Sequence, residues 1–390
     1  MNNWEWKKLG DVCDSINGLW KGKKEPFVKV GVIRNTNFTK DCKLDLDRLE
    51  YLEVEQRQYA KRKLQPGDLI IEKSGGSEKQ PVGRAILFNE RDGEYSFSNF
   101  TSVLRIKDQN FLNSNFLHIQ LYKLYLDGVT KPMQSATTGI HNLDFDKFKD
   151  LDICVPPLAE QKRIVKTLDE KFAKIDKLKT AAETNLKNAR EIFNAELNSK
   201  LNVENDNLPQ GWEIKTLDEF TINLDSKRKP VTKKNRTKGK FPYYGASGIV
   251  DYVDDYIYDG TFLLISEDGA NLVARTTPIA FIAEGKFWVN NHAHIIKVEN
   301  DWTLRFLIRY FEQLDLNPYV KGMAQPKLSQ ESLYSIQIPL PPLSEQKRIV
   351  AHLDKLSEKV KRLEENYRRT IADCEELKKS ILKQVFEVET

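Results

Sequence analysis

The chain has 390 residues, 40% hydrophobic and 30% charged, with 61 Lys and Arg against 57 Asp and Glu for a net charge of +4. That length and apolar fraction suit two to three domains with buried cores. No stretch approaches the ~20 apolar residues of a membrane span, and the start Met1-Asn2-Asn3-Trp4 lacks the basic and apolar regions of a secretory signal. Cys13, Cys42, Cys154 and Cys374 form no CxxC pair, which argues against zinc and a disulfide framework and predicts a cytoplasmic protein.

In chain order, Trp4-Glu5-Trp6-Lys7-Lys8-Leu9 opens the first region. Phe27–Ile33, Asp68–Glu72, Arg84–Phe88 and Ser102–Ile106 read as strands, with a Gly-rich turn at Lys73-Ser74-Gly75-Gly76-Ser77. Phe111–Leu126 reads as an aromatic-rich helix, and Leu151–Val155 as a closing strand. Pro156 to Val165 then reads PPLAEQKRIV and leads into a long amphipathic helix. Its apolar positions Leu168, Phe172, Ile175, Leu178, Ala182, Leu186, Ala189 and Phe193 recur at spacings of three and four.

A second region opens at Trp212-Glu213-Ile214-Lys215-Thr216-Leu217. Ser226 to Lys240 follows, SKRKPVTKKNRTKGK, with eight Lys or Arg and no acid. It reads either as a solvated loop or as a phosphate-contacting patch. Thr261–Ser266, Ile279–Ala283 and His294–Val298 read as strands, with a turn at Glu267–Asn271. Trp302–Leu316 reads as a helix and Ser335–Leu340 as the closing strand. Pro341 to Val350, PPLSEQKRIV, starts a second long helix whose apolar series runs from Leu353 to Val385.

The two Pro-Pro segments agree at nine of ten positions across an offset of 185, and the Trp-Glu elements lie 208 apart. The second middle is therefore 23 residues shorter. Each region is a shared frame around a divergent middle, which suits a molecule that reads two different things in one way. Each long helix spans about 60 Å and needs a cover for its apolar stripe. Antiparallel pairing of the two helices is the preferred geometry, with intermolecular pairing as the alternative. The expected division is 1–155, 156–203 (helix), 204–340 and 341–390 (helix).

No phosphate loop of the GxxxxGK[ST] type and no Ser-His-Asp arrangement stands out. Asn317-Pro318-Tyr319 reads as a helix-ending turn, and Asp268 with Glu284-Gly285-Lys286 as a loose coincidence with a nuclease pattern. His292 and His294 share a strand face, but no Cys or further His stands near to complete a metal site.

The doubled Pro-Pro-Leu-x-Glu-Gln-Lys-Arg-Ile-Val helix start resembles the specificity subunits of type I restriction–modification systems. Leu208-Pro209-Gln210-Gly211-Trp212 and Phe241-Pro242-Tyr243-Tyr244-Gly245-Ala246-Ser247-Gly248-Ile249 are similar to that family's domain opening and to one type of target recognition domain. The resemblance implies an α+β protein: two mixed α/β target recognition domains in tandem, separated by two long helices in an antiparallel coiled coil. It implies that each domain reads one half of a bipartite site in double-stranded DNA. Two methyltransferase subunits would dock on the frame, and restriction subunits would join the full complex. S-adenosylmethionine, ATP and Mg²⁺ would sit on those partners, with no cofactor, metal or catalytic residue on this chain.

Phosphate contacts position a protein and groove contacts specify sequence. The expected phosphate binders of the second domain are Lys227, Arg228, Lys229, Lys233, Lys234, Arg236 and Lys238; the expected base readers are Tyr243, Tyr244, Ser247, Asn271 and Arg275. In the first domain they are Lys73, Ser74, Ser77, Lys79, Gln80 and Arg84. Secondary candidates are Gln325, Lys327 and the loop Thr137-Thr138-Gly139-Ile140-His141. The rival readings are a nuclease or methyltransferase with degenerate motifs, and a coiled-coil scaffold whose middles bind protein.

Overall fold

The computed structural model describes residues 4–20, 22–137, 139–203, 207–322 and 325–387. The chain divides into two units, Met1–Ala181 with Thr370–Thr390, and Ala182–Arg369.

The first unit is built on a four-stranded antiparallel sheet in the order Cys13–Asn17, Thr101–Ile106, Asp68–Glu72, Ala85–Phe88. The central strand, Asp-Leu-Ile-Ile-Glu, is buried at every position, so its apolar run has no alternation for a periodicity reading to find. A three-stranded sheet orders Glu50–Glu55, Phe27–Ile33 and Tyr95–Phe97. A third joins Gln134–Thr137, Ile140–Leu143 and Ser74–Gly76, so the expected Gly-rich turn is itself a short strand. The opening strand Glu5–Lys8 pairs antiparallel with the closing strand Asp152–Val155, Glu5 opposite Val155. The segment between these two strands therefore begins and ends at one place.

The second unit repeats that closure, with Glu213 of Glu213–Lys215 opposite Leu340 of Ile338–Leu340. Its main sheet has six strands in the order Ile222–Asn223, Ala293–Lys297, Tyr258–Ser266, Ala280–Val289, Lys238–Gly245, Gly248–Val253. The last two form a hairpin that extends the sheet. Sequence reasoning missed it, because Lys238-Gly239-Lys240 continues a basic run that reads as loop.

The long helices span Leu158–Leu201 and Leu343–Glu387, 44 and 45 residues. Within each unit a stretch of one lies antiparallel on a stretch of the other. Lys179 pairs with Glu375 in the first unit (2.9 Å), and Arg190 with Glu364 in the second (2.7 Å). Pairing thus occurs within the chain. The buried seam holds Leu168, Ile175, Leu382 and Phe386 in the first unit, and Ala189, Leu197, Leu353 and Val360 in the second. Leu178 departs from the expected stripe and is exposed.

The repeated glutamine of the Pro-Pro motif has a structural task. Gln161 Nε2 donates to the carbonyls of Pro156 (2.7 Å) and Phe111 (2.9 Å), and its Oε1 accepts from Asn113 N (2.8 Å). Gln346 Nε2 donates to Pro341 O (2.8 Å), and its Oε1 accepts from Thr303 Oγ1 (2.8 Å). Each glutamine is buried and ties the helix start to the first residues of that unit's aromatic helix. Pro157 and Pro342 sit just before the helices, and their carbonyls accept from the amides of Glu160 and Glu345.

Candidate nucleic-acid interface

The basic run of the second unit forms two short turns, Asp225–Lys227 and Lys233–Asn235, before its hairpin strand begins. Lys227, Lys229, Lys233, Lys234 and Lys238 are exposed there, joined by Lys240. Six exposed ammonium groups in one segment give a sequence-independent electrostatic attraction for a polyanion.

The two arginines of the run are spent inside the protein. Arg236 lies 4.3 Å from the centroid of the Tyr243 ring and pairs with Asp251 (3.1 Å). Arg228 pairs with Glu267 and Asp225 and donates to Ala293 O (2.8 Å). Both are half-buried and fasten the loop to the sheet, so less of each guanidinium is free than the sequence suggests. Tyr243 is wholly buried, its hydroxyl accepting from Val231 N (2.9 Å), so it cannot reach a base from this conformation. Tyr244 packs among Phe281 and Phe287. Arg275 donates to the carbonyls of Phe311 and Leu314, closing the end of the aromatic helix. Asn271 shapes its own turn, its Oδ1 accepting from Thr277 N (2.9 Å). Ser247 alone among the five proposed base readers is fully exposed, at the hairpin tip.

Beneath the basic run lies a buried polar network that sequence reasoning did not assemble. His294 Nδ1 meets Asp225 Oδ2 at 2.6 Å, and its Nε2 meets Leu328 O at 2.8 Å. Asp225 also accepts from Ile295 N (2.8 Å), and Lys327 pairs with Glu267 (3.1 Å). Burial opposes ionisation of Asp225, yet His294, the Ile295 amide and Arg228 together hold its carboxyl below the usual range. Glu267 is likewise held low, with Arg228, His294 and Lys327 outweighing burial. Asp225, Glu267 and His294 could together offer ligand atoms to a cation, but Arg228 and Lys327 already supply their counter-charge. His292 Nδ1 contacts both carboxylate oxygens of Asp268 at 2.9 Å.

The first unit places a matching pair at the end of its central strand. Arg84 is 4% exposed; its Nε and Nη2 donate to Glu72 (2.7 and 2.8 Å) and its Nη1 to Phe38 O (3.1 Å). A guanidinium so committed cannot contact DNA, which corrects the expectation for Arg84. Lys73 Nζ donates to Asn17 Oδ1 (2.9 Å) and sits over the Phe145 ring, and burial lowers its pKa. Ser74 Oγ donates to Asn142 Oδ1 (2.6 Å). Ser77, Lys79 and Gln80 are exposed on a tight turn. Gln325, Lys327 and Ile140 are exposed, and Gly139 adopts a positive φ of 82°. His141 is half-buried, with Nδ1 lacking a partner among the described residues. Thr138 and the side chain of Thr137 lie outside the described residues.

Asn317-Pro318-Tyr319 forms the expected turn after the aromatic helix, and Glu284-Gly285-Lys286 lies within the strand Ala280–Val289. No helix among the described residues is long and apolar enough to cross a membrane.

A family model described as "Type I restriction modification DNA specificity domain" matches residues 1–188 and 209–371. A Haemophilus influenzae protein, "Putative type I restriction enzyme specificity subunit S.HindORF215P", is 41% identical over 38% of this chain and 39% of its own length. The chain thus spans about two-fifths of that relative. The putative MjaX specificity subunit of Methanocaldococcus jannaschii is 23% identical over 97% of this chain and 92% of that protein. The Escherichia coli EcoKI specificity subunit is 27% identical over 83% and 75%. Two solved structures share the fold at 19% identity. One, from work on assembly and conformational transition of the type I R-M system, covers 98% of this chain and 97% of its own with a TM-score of 0.79. The other, the HsdS subunit of Thermoanaerobacter tengcongensis, covers 98% and 96% with a TM-score of 0.60.

Proposed function

Because this chain belongs to the type I restriction modification DNA specificity family, we propose that it is the sequence-reading subunit of a type I restriction–modification complex. Each unit carries one recognition domain, and each domain reads one half of a bipartite site in double-stranded DNA. The paired helices set the separation of the half-sites, and two methyltransferase subunits dock on the frame. Restriction subunits complete the assembly in the cytoplasm. S-adenosylmethionine, ATP and Mg²⁺ act on those partners, and this chain supplies recognition without catalysis.

The observation that carries this reading is the duplicated frame around two unlike middles: the same strand closure and the same buried glutamine hold sheets of different strand order. Lysines 227, 229, 233, 234, 238 and 240 supply phosphate contacts for the second domain. One turn of B-DNA is about 34 Å and each helix about 60 Å, so the two halves of the site are separated by unspecified base pairs.

Methylome sequencing of a host with and without this gene tests the reading. The expected result is loss of one bipartite adenine-methylated motif, and an unchanged methylome contradicts it. Inserting whole turns into both helices is expected to widen the gap between half-sites at constant half-site sequence.

A further inference from the structure

The two neighbouring histidines of the second unit, His292 and His294, are engaged very differently. His294 is 1% exposed and both its ring nitrogens are taken, Nδ1 by Asp225 (2.6 Å) and Nε2 by Leu328 O (2.8 Å). His292 stands on the turn between the strands Ala280–Val289 and Ala293–Lys297, and its side chain is 45% exposed. Its Nδ1 faces both carboxylate oxygens of Asp268 at 2.9 Å. Its Nε2 has no partner among the described residues and is open to solvent.

The turn itself is held without this ring. His292 N donates to Asn290 Oδ1 (2.8 Å), and His292 O accepts from Glu267 N (2.9 Å). Asp268 is fixed independently: its backbone bridges to Lys327, and Gly269 N donates to Pro326 O (2.9 Å). Its side chain is 14% exposed. A carboxylate against Nδ1 keeps the proton on that nitrogen and fixes the orientation of the ring. The neutral ring then presents an acceptor lone pair at Nε2.

Charge around the ring points to the class of ligand. Lys327 borders Asp268 and is exposed. Arg228 donates to the carbonyl of Ala293 (2.8 Å), the residue after His292, and so brings the basic run with exposed Lys227 and Lys229 to this turn. An oriented acceptor among exposed ammonium groups suits a polyanion that carries hydrogen-bond donors between its phosphates. In duplex DNA those donors are the exocyclic amines of adenine and cytosine in the major groove. We propose that His292 is a specificity-determining residue of the second recognition domain. Its Nε2 accepts from the exocyclic amine of one base, and Asp268 is the positioning residue that orients the ring. The inference rests on the function proposed above and adds to it the residue that reads one base pair.

The full chain is expressed in the host with its methyltransferase subunits, as wild type, His292→Ala, His292→Phe, Asp268→Ala and the double variant of His292→Ala with Asp268→Ala. Each methylome is sequenced. Each purified complex is titrated with the wild-type duplex site and with duplexes carrying single base-pair replacements, and its thermal unfolding is recorded. His292→Ala is expected to make one base pair of one half-site degenerate, with discrimination there falling about fivefold or more and the other positions unchanged. His292→Phe, which keeps a ring without Nε2, is expected to do the same. Asp268→Ala is expected to relax the same base pair, and the double variant no further than His292→Ala alone. A role confined to folding would instead lower the unfolding temperature and weaken all duplexes alike. That result, an unchanged motif in both His292 variants, or relaxation at a different base pair in Asp268→Ala overturns the proposal. If wild type methylates a bipartite motif that both His292 variants keep, only this assignment fails; if wild type methylates none, the proposed function fails with it.

Discussion

The two units solve one problem at the same place in different ways. Each carries a buried glutamate at the close of a central strand, Glu72 as its last residue or Glu267 just after it, and each satisfies it with an arginine. In the first domain Arg84 comes from the neighbouring strand region, and the pair stays inside the sheet. In the second, Arg228 comes from the basic run itself, so the same ion pair anchors a loop rich in exposed lysine. The first unit also has a cleft lined by Trp20, Gly75 and Phe100. A shared frame thus holds its arginine from different segments in the two units, as expected where loops vary on a rigid scaffold.

The largest effect is expected from breaking the buried pair of the first domain. Arg84→Met leaves Glu72 charged and buried, costing about 3–5 kcal/mol, read as a fall in that domain's denaturant midpoint. Adding Glu72→Leu removes the orphaned charge and is expected to restore most of the loss.

The second effect separates the domains by phosphate grip. Lys229, Lys233 and Lys234, changed together to Ala, are expected to lower the slope of log affinity against log salt by about 2–3, or on the order of 100-fold in affinity at 0.15 M salt. Lys79→Ala in the first domain is expected to change the slope by about 1 at most. Equal slopes for the two variants would erase the distinction.

Glu267→Gln comes next. Arg228 is near enough to the surface to find water, so the loss is expected to be about 2 kcal/mol, confined to hydrogen-exchange protection in the second domain.

The smallest effect is a difference in pH response. Burial lowers the pKa of His118, whose Nε2 meets the carbonyls of Cys42 and Ala85. The unfolded chain takes up that proton first. Stability of the first domain is therefore full above about pH 6.5 and falls by up to about 1.4 kcal/mol per unit below it, until the folded imidazole also protonates. Asp225 and Glu267 have lowered pKa values, so their contribution persists at neutral pH and is lost only as pH falls through the carboxylate range. Moving from pH 7 to 5.5 is expected to loosen the first domain more than the second by hydrogen exchange, and His118→Gln is expected to flatten that response.

The frame was legible in the sequence because it is written twice. The strand Asp68–Glu72 and both long helices follow directly from apolar runs and spacing. Short strands such as Ser74–Gly76 were not legible, since small polar residues carry no alternation and their pairing partner lies over 60 residues away. The candidate site was legible as charge but not as geometry. Arg84, Arg228 and Arg236 read as free cations because their partners Glu72, Glu267 and Asp251 are distant in sequence or hidden in other strands. The cleft lined by Trp20 and Phe100 gave no signal at all, as it gathers residues from five separate segments.

The most direct test of two middles serving as two readers is an exchange. Residues 218–334 are replaced by the matching middle of a relative with a known methylated motif, and the host methylome is sequenced with the methyltransferase subunits present. The expected motif keeps one original half and the original gap and gains the other half from the donor. A motif altered in both halves, or one wholly unchanged, would contradict the division of specificity between the domains.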